Sequence, residues 1–293
     1  MSLAAADLRQ AIRHGAAAGA RYVLATPQEA SGRNDGRRNG PRSGRSLDFR
    51  DYRDYHPGDD LRWVDWAAYA RSDRLSVRVF QEEVCPHADI ILDTSRSMAL
   101  ADTPKAAAAA GLAALLAVAA ANAHFSAAVW TDRDGLQRLP GTAARPETWD
   151  CPRFDGRLTL GTQLRAHPAG LRRRGVRFLI SDLLWPDDPT DVLQHLGEGA
   201  AALHVLQLLA QPDLCPAGHG FLRVADSETE QELDLFLDDA ARQQYAAALA
   251  RHTAVWADAC RRRAASLHRL LAEELSEAWL LTDLLRAGIL EGA

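Results

Sequence analysis

The stretch ADIILDTSRSM, residues 88–98, decides the fold. Its first part, ADIILD (88–93), is a short run without the polar alternation of a half-exposed strand, which is typical of a strand whose two faces are both covered. A long helix is predicted to follow, with Thr103 as its N-cap and Pro104 at its first position, running to about His124. A buried strand followed by a helix is the repeating unit of a parallel sheet.

The same alternation of strand and helix continues towards the carboxyl end. Strands are predicted at residues 126–131, 136–139, 176–181 and 202–209, and helices at residues 162–171 and 188–196. Asp134-Gly135 is predicted to form the hairpin turn between the strands at 126–131 and 136–139. This order predicts an α/β fold with a doubly wound, mostly parallel sheet and helices on both faces. After an extended segment at 220–235, residues 239–287 are predicted to be helical, without an apolar strand that would close the sheet.

The periodicity before residue 88 is different. Residues 3–19 are predicted to form an amphipathic helix, whereas SGRNDGRRNGPRSGRS (31–46) is too rich in Gly, Ser and Arg to be a core segment. Large apolar and charged residues then alternate, which predicts a small antiparallel β meander with strands in LDFRDYRDY (47–55), LRWVDW (61–66) and LSVRVFQEE (75–83). The predicted domain limits are therefore 1–46, 47–86, 87–238 and 239–293, the last region being C-terminal helices that complete the domain.

Composition excludes several classes of protein. The chain has 293 residues, a formal net charge of −5 and 47% hydrophobic residues, as in an ordinary soluble protein. The mildly acidic total argues against a dedicated nucleic-acid binder. The four cysteines stand far apart without a C-x-x-C pair, which favours reduced thiols in a cytoplasmic protein. The apolar run at 106–121 is shorter than the roughly 20 residues of a membrane span, so we expect a buried helix and no membrane segment.

Oxygen-bearing side chains follow the predicted strand at 88–93. Asp93, Ser95 and Ser97 lie at its carboxyl end, where open parallel sheets bind ligands, and alternate residues of an extended loop project the same way. Thr162 is predicted to stand just before a helix, and Asp182 follows the strand at 176–181. If those strands are neighbours of the first, five oxygen donors meet at one place: Asp93, Ser95, Ser97, Thr162 and Asp182.

Two carboxylates and three hydroxyls, without sulfur or imidazole, suit a hard divalent cation such as Mg²⁺ or Mn²⁺. Hydroxyl ligands add no negative charge, so the two carboxylates leave the ion poorly neutralised if they bind it through water. Such an ion attracts a carboxylate from outside the chain. The residues therefore predict a metal site that is also a docking point for an acidic group of a partner.

This set of residues resembles the metal-ion-dependent adhesion site of von Willebrand factor A domains. The stretch DFRDYRDYHPGDDLRWVDWAAYARSDRLSVRVFQEE (48–83) resembles the signature of the bacterial domain-of-unknown-function family 58, and the resemblance continues through LDTSRSM, LISDLL and ADSETEQELDLF. It implies a von Willebrand factor A-like domain over 87–238. The resemblance also implies that the protein functions together with a MoxR-type AAA+ ATPase, as an adaptor that presents a client protein in a chaperone-like system.

The residues leave three functions open. The leading hypothesis is a non-catalytic, metal-dependent protein-interaction module. The first alternative is a Mg²⁺-dependent phosphoryl-transfer enzyme with Asp93 as nucleophile, although Ser95 stands where such an enzyme has its second acid. The second alternative is polyanion binding by the arginines of the 31–46 segment, Arg33, Arg37, Arg38, Arg42 and Arg45.

Three neighbouring features have structural interpretations. Lys105 is predicted to be solvated at a helix start, with an anion-facing position as the alternative. Trp63, Trp66 and Tyr69 are predicted to pack in a core or between domains. An ion-pair network is predicted to hold the meander to the A-domain through Arg50, Arg53, Arg62, Arg71, Asp51, Asp54, Asp59, Asp60 and Asp65.

Overall fold

The computed structural model describes residues 5–26, 47–82, 86–133, 135–166, 170–279 and 281–293. The chain divides into two compact units, a larger one formed by Met1–Ser31 with Pro86–Ala293 and a smaller one formed by Gly32–Cys85. The Arg-rich segment 31–46 and Asp134 of the predicted hairpin turn lie outside the described residues.

Helices and strands alternate along most of the described chain. The helices are α1 (Ala5–Gly19), α2 (Trp66–Ser72), α3 (Lys105–Asn122), α4 (Leu160–Ala166), α5 (Pro189–Gly197), α6 (Gln211–Leu214), α7 (Asp239–Arg262), α8 (Ala272–Ala278) and α9 (Thr282–Arg286). The strands are β1 (Tyr22–Leu24), β2 (Leu47–Asp54), β3 (Ser76–Glu82), β4 (His87–Leu92), β5 (Ser126–Thr131), β6 (Gln137–Arg138), β7 (Val176–Ser181), β8 (Ala202–Leu209), β9 (Gly220–Ala225), β10 (Glu232–Leu237), β11 (Ser266–Leu271) and β12 (Leu290–Gly292).

A sheet organises the larger unit, and in the described part of the chain it has six strands in the order β11-β8-β7-β4-β5-β6. Neighbouring strands are parallel except for β6, which is antiparallel to β5. The mostly parallel α/β sheet predicted from the sequence is therefore confirmed. β5 and β7 lie on opposite sides of β4, so the order of connection reverses at β4, which is where open α/β sheets bind ligands.

Successive residues of β4 enter two different cores, because neighbouring side chains of a strand point to opposite faces. Ile90 and Leu92 lie in the core that contains α3, whereas Ile91 lies in the core that contains residues of α4, α5 and α7. All three side chains are fully buried. The prediction of helices on both faces of the sheet is confirmed.

Helix α3 is the central helix of the first core. It is 18 residues long and apolar enough to cross a membrane by length and composition, but 78% of it is buried inside the folded chain. Helix α1 packs on it so closely that a Cβ atom on Gly15 would lie 2.0 Å from the carbonyl oxygen of Gly111. Contact between the two backbones therefore requires glycine at position 15.

The starts of two helices differ from the prediction. Helix α3 begins at Lys105, directly after Pro104, and the hydroxyl of Thr103 donates to the carbonyl oxygen of Leu100 (2.8 Å), so Thr103 is not the N-cap. Helix α4 begins at Leu160, two residues before the start of the helix predicted over 162–171, and it contains Thr162 in its first turn.

The prediction of continuous helix over 239–287 is wrong. Helix α7 ends at Arg262, and Ser266–Leu271 forms β11, which pairs in parallel with β8 and closes that edge of the sheet. Leu267 and Leu270 enter opposite cores. Because the strand lies at the edge and also carries His268 and Arg269, it lacks the continuous apolar run of a central strand.

The prediction of a three-stranded meander in the smaller unit is also wrong. β2 and β3 pair in antiparallel fashion, but the middle segment forms a 3₁₀ turn, Leu61–Trp63, followed by α2. The cause is local: Asp65 Oδ1 accepts hydrogen bonds from the amides of Ala67 (3.0 Å) and Ala68 (2.9 Å) and caps α2. This cap overrides the alternation of aromatic residues.

Aromatic side chains of the smaller unit also depart from expectation, whereas the predicted ion-pair network between the meander and the A-domain stays a prediction. Trp66 is 57% exposed, and Trp63 and Tyr69 are exposed as well, so the core prediction for them is wrong. Two local ion pairs are present, Arg53 with Asp59 (2.6 Å) and Arg62 with Asp60 (2.7 Å).

Candidate functional site

Four aspartates are buried at the carboxyl edge of the sheet, the edge at which β4, β5, β7 and β8 end. Asp93 follows β4, Asp132 follows β5, Asp182 follows β7, and Asp213 lies in α6 after β8. Among the described residues, the ammonium of Lys105 is the one cation that forms an ion pair with any of them. The edge therefore holds more buried acidic groups than basic ones.

The loop formed by residues 93–97 brings three of the predicted ligands together. Asp93 Oδ1 accepts a hydrogen bond from the amide of Ser95 (2.9 Å), and the hydroxyl oxygens of Ser95 and Ser97 lie 3.0 Å apart. Asp93 Oδ2 accepts hydrogen bonds from the hydroxyl of Ser181 (2.5 Å) and the indole of Trp185 (3.1 Å). These hydrogen bonds fix the carboxylate of Asp93 in the same loop that carries the hydroxyls of Ser95 and Ser97.

Asp182 lies close enough to Asp93 to act on it electrostatically. Burial, together with the negative charge of Asp182, raises the pKa of Asp93 above its usual range. Asp182 Oδ2 accepts a hydrogen bond from Lys105 Nζ (2.8 Å), and Asp182 Oδ1 accepts one from the amide of Leu184 (3.0 Å). This predicted ligand is therefore already bound to a cation of the chain itself.

Lys105 is fully buried, so the prediction that it is solvated is wrong. Its Nζ atom lies 2.8 Å from Asp182 and 3.0 Å from Asp213. Burial acts to lower the pKa of Lys105, but the negative charges of these two aspartates outweigh it and raise the pKa above its usual range. The first residue of α3 thus serves as an internal counter-ion at the carboxyl edge.

Thr162 belongs to a different group of hydrogen bonds. Its hydroxyl oxygen accepts from the hydroxyl of Thr159 (3.0 Å) and from the guanidinium of Arg165 (3.2 Å). No hydrogen bond within the described residues joins Thr162 to Asp93 or Ser95. The structure therefore brings together Asp93, Ser95 and Ser97, places Asp182 beside them, and leaves Thr162 engaged elsewhere.

Asp132 was missed by the sequence reasoning. Its Oδ1 accepts from the amide (2.7 Å) and the hydroxyl (2.6 Å) of Thr94, while its Oδ2 is buried without a hydrogen-bond partner. Burial, with the negative charge of Asp93, raises the pKa of Asp132 to about 8. The available signal was its position, because Asp132 directly follows β5 just as Asp93 directly follows β4.

These donors suit a hard cation in chemistry, although they do not form a cluster of acidic side chains. Within the described residues, no group of three or more His, Cys, Asp and Glu side chains could hold a metal ion. The candidate donors are instead one carboxylate, Asp93, and the hydroxyls of Ser95 and Ser97. Burial is the main cause that raises the pKa of Asp93 and of Asp132, and the negative charge of a neighbouring aspartate raises each further. A divalent cation at the 93–97 loop would add positive charge beside them.

Comparison with known proteins places the chain in a family. The family described as protein of unknown function DUF58 matches residues 51–255. Among solved structures, the conserved hypothetical protein BatB from Bacteroides thetaiotaomicron is similar at 13% identity and a TM-score of 0.31, over 66% of this chain and 98% of that one. No curated protein matches the chain. The family match covers well over half of the sequence, and the chain therefore belongs to the DUF58 family of proteins of unknown function.

Proposed function

We propose that this chain is a non-catalytic protein-interaction module that captures an acidic group of a partner through a divalent cation, Mg²⁺ or Mn²⁺. The observation that carries the proposal is the 93–97 loop, in which the hydroxyls of Ser95 and Ser97 lie 3.0 Å apart next to the fixed carboxylate of Asp93. Thr94 of the loop contacts Asp132, whose Oδ2 is buried without a hydrogen-bond partner. Hydroxyl and carboxylate oxygens are the donors that a hard cation prefers.

In this proposal Asp93, Ser95 and Ser97 hold the cation, with Asp182 beside them. Thr162, the fifth residue of the set that resembles the adhesion site of von Willebrand factor A domains, would join them only by leaving its hydrogen bonds with Thr159 and Arg165. When bound, the cation supplies an unsaturated positive centre for a carboxylate from outside. Asp182 stays paired with Lys105 and contributes negative charge beside the site. The hydroxyls contribute donors without charge, so the partner's carboxylate remains attractive to the ion.

The partner we propose is a MoxR-type AAA+ ATPase, to which the chain presents a client protein in the cytoplasm. This part of the proposal is supported by the resemblance of 48–83 and of the 93–97 loop to the family. An adaptor needs a binding surface and no reaction centre, and Arg96 and Ser97 are the partly exposed residues of the 93–97 loop.

Replacing Ser95 by alanine tests the proposal. In the presence of Mg²⁺, we expect Ser95→Ala to bind the purified ATPase at least about tenfold more weakly than the unmodified chain, because one cation ligand is lost. Chelation of Mg²⁺ by EDTA should weaken binding of the unmodified chain to the same extent. Binding is measured by surface plasmon resonance, with circular dichroism to establish that the variant is folded.

Ser276→Ala is the matched control, because the Ser276 hydroxyl donates to the carbonyl oxygen of Ala272 within α8 (2.9 Å), away from the 93–97 loop. This variant should bind like the unmodified chain. Equal binding with and without EDTA, together with full binding by Ser95→Ala, would rule out the cation as the contact.

Phosphoryl transfer with Asp93 as nucleophile stays a hypothesis. Asp93 is fully buried, and both of its carboxylate oxygens accept hydrogen bonds inside the chain, which restricts the access of a substrate and of a cation alike. Polyanion binding through Arg33–Arg45 concerns residues outside the described part of the chain and stays a hypothesis.

A further inference from the structure

The hairpin of β9 and β10 carries an ordered tip, residues 226–231. Asp226 Oδ1 accepts hydrogen bonds from the amides of Glu228 (3.0 Å) and Thr229 (2.6 Å), and the amide of Asp226 donates to the carbonyl oxygen of Gln231 (2.9 Å). Glu230 adopts the left-handed conformation with a φ of 61°. The tip is a defined turn that can present its two glutamates in fixed directions.

Both glutamates of the tip contact the 93–97 loop or its surroundings. Glu228 Oε1 accepts a hydrogen bond from the amide of Ser97 (3.0 Å). Glu230 Oε1 accepts from the guanidinium groups of Arg96 (2.6 Å) and Arg157 (2.9 Å). A carboxylate from a distant part of the sequence is thereby held against a residue whose hydroxyl is a proposed cation ligand.

We infer that Glu228 is an internal placeholder for the acidic group of the partner, an inference that rests on the proposed function. A partner carboxylate that approaches a cation at Ser97 meets the carboxylate of Glu228 first, and the two like charges repel. The partner therefore binds fully only after the hairpin tip has moved away. The tip therefore makes the site autoinhibited.

The contacts that hold the 226–231 tip on the 93–97 loop are weak enough for the tip to leave the loop and for a partner's carboxylate to take its place. The side chain of Glu230 is 61% exposed, and exposed ion pairs stabilise little. The strands behind the tip also present apolar side chains to solvent, with Phe221 89% exposed and Leu233 62% exposed. Elements with little apolar burial open at low free-energy cost. Exchange of Glu228 for a partner's carboxylate is therefore energetically accessible.

Replacing Glu228 by alanine tests the inference through two affinities. Loss of its negative charge beside the loop should weaken Mn²⁺ binding by about tenfold in calorimetry. Loss of the placeholder should at the same time strengthen binding of the ATPase in Mg²⁺ by about tenfold. Glu228→Gln keeps the length of the side chain and a neutral hydrogen-bond acceptor. It should therefore weaken Mn²⁺ binding and strengthen ATPase binding as Glu228→Ala does, but by smaller factors. Glu232→Ala, on β10 beyond the tip, is the control that should change neither affinity.

Hydrogen exchange at the amide of Ser97 should become faster in Glu228→Ala, because this amide loses its acceptor, and this result establishes in solution, without any partner, that Glu228 contacts the loop. A merely structural role for Glu228 predicts that both affinities fall together, and this result or an absence of change would overturn the inference. A native chain that binds no Mn²⁺ would contradict the proposed function and the inference with it. Mn²⁺ binding by the native chain without opposite shifts in the variant would contradict the inference alone.

Discussion

Replacing Lys105 by methionine is expected to lower the free energy of unfolding by about 3–5 kcal/mol, the cost of breaking a buried ion pair by removing one partner. Methionine fills a similar volume, so the loss is mainly one of charge. The carboxylates of Asp182 and Asp213, which lie 2.8 and 3.0 Å from Lys105 Nζ, would be left buried without a counter-ion. The measurement is urea denaturation at pH 7 in EDTA.

Two further variants separate charge from packing. Arg261→Met removes one half of an exposed pair with Asp258 (2.9 Å) and should cost at most about 1 kcal/mol. Lys105→Met combined with Asp213→Asn should recover part of the loss, because one uncompensated charge is removed as well. If Lys105→Met alone stays within about 1 kcal/mol of the native chain, the counter-ion role of Lys105 is refuted.

Raising the pH from 5 to 8 in EDTA is expected to destabilise the chain, with Asp132 as one main cause. The pKa of Asp132 is raised from its ordinary value of 3.8 to about 8 in the folded state. Between these values the unfolded chain has released this proton while the folded chain retains it, so each pH unit lowers the free energy of unfolding by up to about 1.4 kcal/mol. The loss is complete above pH 8, and below pH 4 the group contributes nothing.

Asp132→Asn should flatten this pH profile, because asparagine keeps the acceptor for Thr94 and carries no titrating proton. The exposed Asp150 supplies the control, since Asp150→Asn changes the same net charge without altering a buried group. The profile is obtained from denaturation midpoints at several pH values. An identical slope for the native chain and Asp132→Asn would mean that the partnerless oxygen of Asp132 does not carry the effect.

The central strands of the sheet were predictable because a strand that is buried on both faces has a mostly apolar sequence without regular polar alternation. β4, β7 and β8 are mostly apolar and almost wholly buried, and the helix between β4 and β5 is almost wholly apolar as well. Parallel order then follows from the alternation of strand and helix. This part of the fold needs no knowledge of side-chain partners.

The elements that were missed depend on local or edge effects. β11 lies at the sheet edge and places one leucine in each core, so its sequence has neither strict alternation nor a continuous run. Helix α2 forms because the carboxylate of Asp65 caps it, although aromatic residues around it suggest a strand. A single hydrogen-bonding side chain such as Asp65 can decide whether a short segment forms a helix, and the hydrophobic periodicity of the sequence does not predict that hydrogen bond.

For the candidate site, the sequence located the 93–97 loop and Asp182 beside it, but not the contacts that Lys105 and Glu228 make there. Asp93, Ser95 and Ser97 are close in the chain, so loop geometry alone brings them together. The ammonium of Lys105 on Asp182 and the carboxylate of Glu228 on Ser97 join residues far apart in sequence. Contacts of that kind follow from tertiary packing, which no spacing rule in the sequence reveals.

Calorimetric titration of the native chain with Mn²⁺ tests the central claim most directly, with Ser95→Ala/Ser97→Ala as the variant and Ser276→Ala as the control. We expect the native chain and the control to bind a single ion and the double variant to bind at least about tenfold more weakly. No heat of binding for the native chain, or equal affinity for all three proteins, would contradict a cation held by the 93–97 loop.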